Sequence, residues 1–80
     1  MSYLITFYTN FDASVFMRTA KKFGTARMKP VPRQLSSSCG TCILFTPTAE
    51  NQLPPEILHL SFEKFYQVTD AGYELLKEQE

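Results

Sequence analysis

Clustered and regularly spaced apolar residues in the first third of the chain predict a strand followed by a helix. Residues 3–9 are mostly β-branched or aromatic, with apolar side chains on both faces, which is typical of a central strand. From Ala13 to Phe23, apolar residues recur at spacings of three and four, which predicts a helix with one buried face. We expect Asn10 to cap this helix and Gly24 to end it.

The rest of the chain is predicted to form shorter strands and helices, with a polar connection at residues 48–52. The expected strands are residues 26–31, 41–46 and 64–68, and the expected helices begin at Pro54 and Asp70, the second ending near Glu78. Because proline cannot donate a ladder hydrogen bond, Pro30 and Pro32 place the second strand at a sheet edge. Pro54 suits the first turn of a short helix, whereas Gly72 weakens the final one.

The order of predicted elements is β-α-β-β-α-β, followed by the final helix. With right-handed crossovers this order gives an α+β ferredoxin-like sandwich, in which a four-stranded antiparallel sheet carries its helices on one face. One set of first-strand side chains would then face away from the helices, either Tyr3, Ile5 and Phe7 or Leu4, Thr6 and Tyr8. We therefore expect a single domain over residues 1–80 and a homodimer through the open face of its sheet.

Composition excludes several classes of protein. The chain has 80 residues, 44% of them hydrophobic and 14% aromatic, which suits one folded domain and is too apolar for a disordered one. No apolar run approaches the roughly 20 residues of a membrane-spanning helix, and no basic and apolar N-terminal stretch indicates a signal peptide. We therefore expect a cytoplasmic protein with no membrane partner.

Charge is balanced overall but unevenly distributed along the chain. Residues 1–33 hold six basic residues and one acid, whereas residues 34–80 hold seven acids and two bases. A net charge of zero gives no reason to expect nucleic-acid binding. Either folding interleaves these charges into an ordinary mixed surface, or the basic half produces a positive field beside the cysteines that follow it.

The two cysteines, Cys39 and Cys42, have the spacing C-x-x-C. In a reducing cytosol they are not expected to form a structural disulfide. One such motif supplies two of the four ligands of a structural zinc site, and His59 is the single histidine, so we expect no metal and no other cofactor. A zinc ion shared between two chains is a less favoured alternative.

The residues around Cys39 are of types that activate a thiol. The thiolate is the nucleophile, and a free cysteine has a pKa of about 8.5. Three features can stabilise the thiolate and so lower the pKa of the thiol: a nearby cation, hydroxyl donors, and a backbone turn that directs N–H groups at the sulfur. These are supplied by Arg33, Ser36, Ser37, Ser38 and Gly40. In the alternative interpretation, Cys39 is a small buried residue and the serines only form a turn.

The role of Cys42 depends on the backbone between the two cysteines. In an extended segment, residues three apart point to opposite faces with Cα atoms roughly 10 Å apart, which is too far for a disulfide. If the chain turns at Gly40, the pair is a redox couple; otherwise Cys42 is a core residue. Because an apolar β-rich run follows, we favour Cys39 as the chemical residue and Cys42 as an accessory resolving thiol or a packing residue.

Residues 30–40, with the sequence P-V-P-R-Q-L-S-S-S-C-G, resemble the signature of the selenium/sulfur carrier protein-like family. The opening strand Y-L-I-T-F and the helix after it are also similar to that family. The resemblance implies that Cys39 carries sulfur or selenium, with Arg33 and the three serines around it. Under this hypothesis Cys39 accepts a persulfide or selenide from a cysteine desulfurase-like donor and passes it to an acceptor enzyme, so we expect a carrier or accessory protein rather than a stand-alone enzyme.

Two other functions stay open from the residues alone. A dithiol redox protein would use both Cys39 and Cys42, and a non-catalytic interaction or regulatory domain would need neither thiol. The resemblance is weak after residue 46, where the family usually has a longer second helix than Pro54 and Pro55 allow here.

Overall fold

The computed structural model describes residues 1–48 and 53–79, in which a sheet carries two helices on one face. In chain order the elements are β1 (Tyr3–Thr6), α1 (Asn10–Ala20), β2 (Gly24–Pro30), β3 (Thr41–Pro47), α2 (Pro55–Leu58), β4 (Lys64–Thr69) and β5 (Gly72–Glu78). The polar connection predicted at residues 48–52 lies, apart from Thr48, outside the described residues. Neither of the helices in the described ranges is long and apolar enough to cross a membrane.

The sheet is antiparallel throughout, with the strand order β2-β3-β1-β4-β5. β1 lies at its centre, where Ile5 pairs with Ile43 on one side and with Phe65 on the other. All four residues of β1 are buried, which confirms its predicted central position, but the strand ends at Thr6 rather than at Thr9. β2 lies at one edge, as its proline predicts.

The predicted four-stranded ferredoxin-like sandwich is wrong, because the sheet has five strands and α2 is a single turn. The segment predicted as a final helix is β5, which pairs with β4. Asp70 and Ala71 form the tight turn between these two strands. Gly72 follows the turn with φ 128°, a conformation that favours glycine. Gly72, which would weaken a helix at this position, is therefore required by the hairpin that forms instead.

Helix α1 is capped by Thr9 rather than by Asn10. Thr9 has extended backbone angles, and its hydroxyl oxygen accepts a hydrogen bond from the Asp12 N–H at 3.1 Å. Asn10 is already the first helical residue, so it cannot serve as the cap. Asp12 lies in the first turn, where the helix dipole favours a negative charge.

Gly24 belongs to β2 instead of ending the helix. It pairs with Pro47 of β3, and the two backbones approach closely. A Cβ atom at position 24 would overlap the Thr46 carbonyl oxygen and lie 2.7 Å from the Pro47 Cα. Close pairing of the two strands therefore requires glycine at this position.

Two hydrophobic clusters lie on opposite faces of the sheet. The larger cluster packs against both helices; its buried members are Tyr3, Ile5, Phe7, Ala13, Phe16, Ala20, Ile43, Phe45, Ile57, Phe62 and Phe65. The smaller cluster consists of Leu4, Cys42 and Tyr66, with Val31, Leu35, Leu44, Val68 and Tyr73 packed against it. The Tyr3 set of β1 side chains therefore faces the helices, and Leu4 faces away from them.

Candidate functional site

We call residues 31–40, which connect β2 to β3, the cysteine loop. Its base is closed by a hydrogen bond from the Val31 N–H to the Gly40 carbonyl oxygen at 3.2 Å. Near its start, the Leu35 N–H donates to the Pro32 carbonyl oxygen at 3.0 Å, which forms a turn. Gly40 has φ 73°, so the chain turns there, in a conformation that favours glycine, before entering β3.

The cysteine loop wraps around one end of the sheet, from the face opposite the helices to the helix face. Val31 and Leu35 pack against the smaller cluster, which contains Cys42. Cys39 packs against the larger cluster on the helix side. The turn at Gly40 therefore leaves the two cysteines on opposite faces of the sheet, and both thiols are free.

Cys39 is half-buried between two exposed neighbours, Ser38 and Gly40. Its thiol donates a hydrogen bond to the Thr41 carbonyl oxygen at 3.5 Å. Because a carbonyl oxygen only accepts hydrogen bonds, this contact holds the protonated form of the sulfur. In this conformation Cys39 is a resting thiol with part of its residue accessible to solvent.

Cys42 is fully buried in β3, and its thiol donates to the Pro30 carbonyl oxygen at 3.6 Å. Burial raises the pKa of the Cys42 thiol; the nearby Lys29 ammonium lowers this pKa and Cys39 raises it, each by less than burial does. Cys42 therefore stays protonated at neutral pH. In this structure it is a packing residue of the smaller cluster.

Two of the serine hydroxyls hold the loop in place instead of contacting the sulfur. The Ser37 hydroxyl donates to the Phe7 carbonyl oxygen at 3.1 Å, just beyond the end of β1. The Ser38 hydroxyl donates to Oε2 of Glu63 at 3.0 Å. Since a hydroxyl has one hydrogen to donate, neither serine has one left for Cys39. These two hydroxyls therefore do not act as the donors to the sulfur that the sequence predicts.

The other predicted site residues lie along the same loop. Arg33 is exposed in the turn that follows Pro32, and Ser36 is exposed between that turn and Ser37. Gly40 supplies the backbone turn before Thr41. The structure therefore places every predicted residue in or next to the cysteine loop, but it brings none of the predicted donors onto the Cys39 sulfur in this conformation.

Sequence reasoning missed Glu63, which contacts the cysteine loop directly. Its Oε1 accepts the Ser38 N–H at 3.3 Å, and its Oε2 accepts the Ser38 hydroxyl. Glu63 immediately precedes β4 and is 25 residues away from Ser38 in sequence. No local sequence pattern predicts this contact, because it depends on the pairing of the sheet. β1 pairs with both β3 and β4, and this pairing brings the starts of β3 and β4 close to each other.

A groove of 240 Å³ opens between α1 and the residues after α2. It is lined by Phe11, Asp12, Val15, His59, Leu60 and Ser61. Over residues 1–48 and 53–79, no group of three or more histidine, cysteine, aspartate or glutamate side chains is placed to hold a metal ion.

Fold and site together define a small α+β domain that carries one half-buried free cysteine in a loop at the end of an antiparallel sheet. The chain belongs to the family described as Putative Se/S carrier protein-like, whose family model matches residues 2–67. This match includes the whole cysteine loop and ends within β4, so β5 lies beyond it. No curated protein and no solved structure is significantly similar to the chain.

Proposed function

We propose that this protein carries sulfur or selenium on Cys39. The observation behind this proposal is that the family match covers a loop with one half-buried free cysteine, while the second cysteine is fully buried in the core. A carrier needs a thiol that partner proteins can reach and a surface on which they dock. The reactions that create and consume the bound sulfur then belong to those partners.

The transfer step follows from thiol–persulfide exchange. Cys39 first loses its proton to solvent, and its thiolate attacks the outer sulfur of a persulfide on a donor protein. The new S–S bond forms on Cys39 while the donor's S–S bond breaks, and the donor cysteine leaves as a thiolate. A nucleophile of the acceptor enzyme then takes the outer sulfur, which returns Cys39 to a thiolate. If selenium replaces the outer sulfur, the same number of bonds forms and breaks, and the same groups leave.

The donor we propose is a cysteine desulfurase-like enzyme, and the recipient is an acceptor enzyme that consumes the sulfur or selenium. The setting we propose is the cytoplasm, where structural disulfides are rare, because both cysteines are free.

The position of Cys42 favours a carrier over a dithiol redox protein. A redox couple requires Cα atoms within about 7 Å and side chains that face one another. Here Cys39 packs on the helix side and Cys42 on the opposite side of the sheet. A zinc ion shared between two chains would likewise need Cys42 at the surface, whereas it is fully buried. Cys42 therefore supports the fold in this proposal and does not take part in transfer.

Sulfur loading by a donor enzyme tests the proposal. The protein is incubated with a cysteine desulfurase, its cofactor and cysteine, and separately with a small-molecule persulfide, and its intact mass is measured. We expect the mass of one added sulfur on the wild type and on the matched control Cys42→Ser, and none on Cys39→Ser. Absence of added sulfur on the wild type across these donors would contradict the proposed function.

A further inference from the structure

Glu63 and Ser38 form a two-point contact that we call the Glu63–Ser38 clamp. Both oxygens of the Glu63 carboxylate are used, one by the backbone N–H and one by the hydroxyl of Ser38. Hydrogen bonds to an ionised carboxylate are stronger than those between neutral groups. The clamp therefore holds the backbone of the residue that directly precedes Cys39.

The backbone N–H and the backbone carbonyl oxygen of Glu63 are both hydrogen-bonded, so the residue that supplies the clamp carboxylate is held in place. The Glu63 N–H donates to the Thr6 carbonyl oxygen at 2.7 Å, and the Glu63 carbonyl oxygen accepts the Gln79 N–H at 3.0 Å. The Gln79 side chain also donates to the Leu60 carbonyl oxygen at 2.9 Å and accepts the Phe62 N–H at 3.0 Å. These bonds tie Glu63 to β1 and to the end of β5.

The clamped conformation of the cysteine loop is stable when the Cys39 sulfur is neutral and less stable when the sulfur is negatively charged. The Cys39 thiol donates to a carbonyl oxygen, and an anionic sulfur has no hydrogen for that bond. An anion on Cys39 would also add a second negative charge one residue along the chain from Ser38, to which the Glu63 carboxylate is bound. Both effects weaken this loop conformation as soon as the sulfur becomes negative.

We propose that Glu63 is a positioning residue for Cys39, which holds the cysteine loop while the sulfur is neutral and releases it when the sulfur is anionic. On release, the N–H and hydroxyl of Ser38 become available to bind the anion. The physiological trigger would be the bound persulfide or selenide, so this role rests on the proposed carrier function. The clamp itself responds to charge on Cys39 from any source.

Two alkylating reagents of similar size separate the effect of charge from the effect of bulk. Iodoacetate leaves a negatively charged carboxymethyl group on Cys39, and iodoacetamide leaves a neutral carbamidomethyl group. The hydrogen-exchange rate of the Ser38 amide is then measured by NMR in each adduct at neutral pH. We expect exchange to be about two- to fivefold faster in the carboxymethyl adduct, a range set by the usual strength of partly exposed charge interactions.

The same pair of adducts is prepared in two variants. In Glu63→Gln the carboxylate charge is gone, and we expect the two adducts to exchange at equal rates. In the matched control Glu56→Gln, which alters an exposed glutamate of α2, the difference should persist. Equal exchange of the two wild-type adducts, or a difference that persists in Glu63→Gln, would overturn the proposal. The wild-type comparison decides this even if Glu63→Gln folds poorly.

Failure of the clamp and failure of the carrier function give different results. The alkylation experiment uses no sulfur donor, so it reports only on Glu63 and the charge at position 39. If the wild type accepts sulfur but its two adducts exchange equally, the carrier function stands and the role of Glu63 is wrong. If the adducts differ but no sulfur is accepted, the clamp stands and the carrier function is wrong.

Discussion

At the scale of single residues, the two cysteines differ in burial, in secondary structure and in the face of the sheet on which they pack. Cys39 is half-buried in a loop, whereas Cys42 is fully buried in a strand and its pKa is raised by burial. The sequence shows two identical side chains three positions apart. Their separation onto opposite faces depends on the turn at Gly40 and on the packing of each face.

The raised pKa of Cys42 makes stability depend on pH in the alkaline range. Above about pH 8.5, the pKa of a free cysteine, the unfolded chain loses the Cys42 proton while the folded chain keeps it. The free energy of unfolding should therefore fall as pH rises from that value toward the higher folded pKa, by at most about 1.4 kcal/mol per pH unit. Below this window the contribution of Cys42 is fully present.

Urea unfolding across this pH range, compared between the wild type and Cys42→Ser, isolates the effect. Serine is similar in size and keeps a donor for the Pro30 carbonyl oxygen, but it does not titrate in this range. We expect the wild type to lose stability more steeply with pH than the variant. Identical slopes would contradict the pKa direction assigned to Cys42.

At the scale of elements, the sequence predicts strongly patterned segments well and weakly patterned ones poorly. β1 and α1 are recognisable because β1 is apolar on both faces and α1 repeats its apolar residues at helical spacing. β5 lies at a sheet edge with most of its residues exposed, so it carries no clear alternation. Adjacent leucines at positions 75 and 76 fit a helix as readily as a strand, and only pairing with β4 decides between them.

The site shows the same division between local and long-range information. The loop, its glycine turn and its cysteine follow from neighbouring residues, so the sequence predicts them. The destinations of the serine hydroxyls do not, because Phe7 and Glu63 are distant in sequence and reach the loop through sheet pairing. Sequence reasoning therefore finds the residues of the loop but not what they contact.

The N-terminal cap of α1 can be tested by stability measurements, because the structure assigns the cap to Thr9 whereas the sequence pattern predicts Asn10. Thr9→Ala removes the acceptor for the Asp12 N–H and should lower the free energy of unfolding by about 0.5–2 kcal/mol. Asn10→Ala is the matched control, since Asn10 lies inside the helix and alanine is the better helix former. Chemical denaturation of the two variants checks this, and a larger loss for Asn10→Ala would contradict the assignment of the cap.

At the scale of the whole molecule, the sheet face opposite the helices is less open than the sequence predicts. Val31 and Leu35 of the cysteine loop cover part of this face. Leu75 remains 48% exposed, and it pairs with Tyr66 on this face. On this face Lys29 lies at the β2 edge, opposite Cys42 of β3, and Glu78 lies at the β5 edge, opposite Lys64 of β4.

We propose that this face forms a homodimer, in which a two-fold axis sets the Lys29 edge of one chain against the Glu78 edge of the other. Leu75→Glu should then shift the protein toward monomer in sedimentation analysis. Met28→Glu is the matched control, because Met28 is 44% exposed but pairs with Ile43 on the helix side. Wild type that sediments as a monomer at high concentration would contradict the dimer.

In the proposed function Cys39, and not Cys42, receives the transferred sulfur, so the position of that sulfur atom in the loaded protein decides between the two cysteines. Wild-type protein is loaded by a cysteine desulfurase with cysteine, the persulfide is trapped by alkylation, and the peptide that contains both cysteines is fragmented by tandem mass spectrometry. We expect the additional sulfur on Cys39. Sulfur on Cys42, or a disulfide between the two cysteines as the main product, would contradict it.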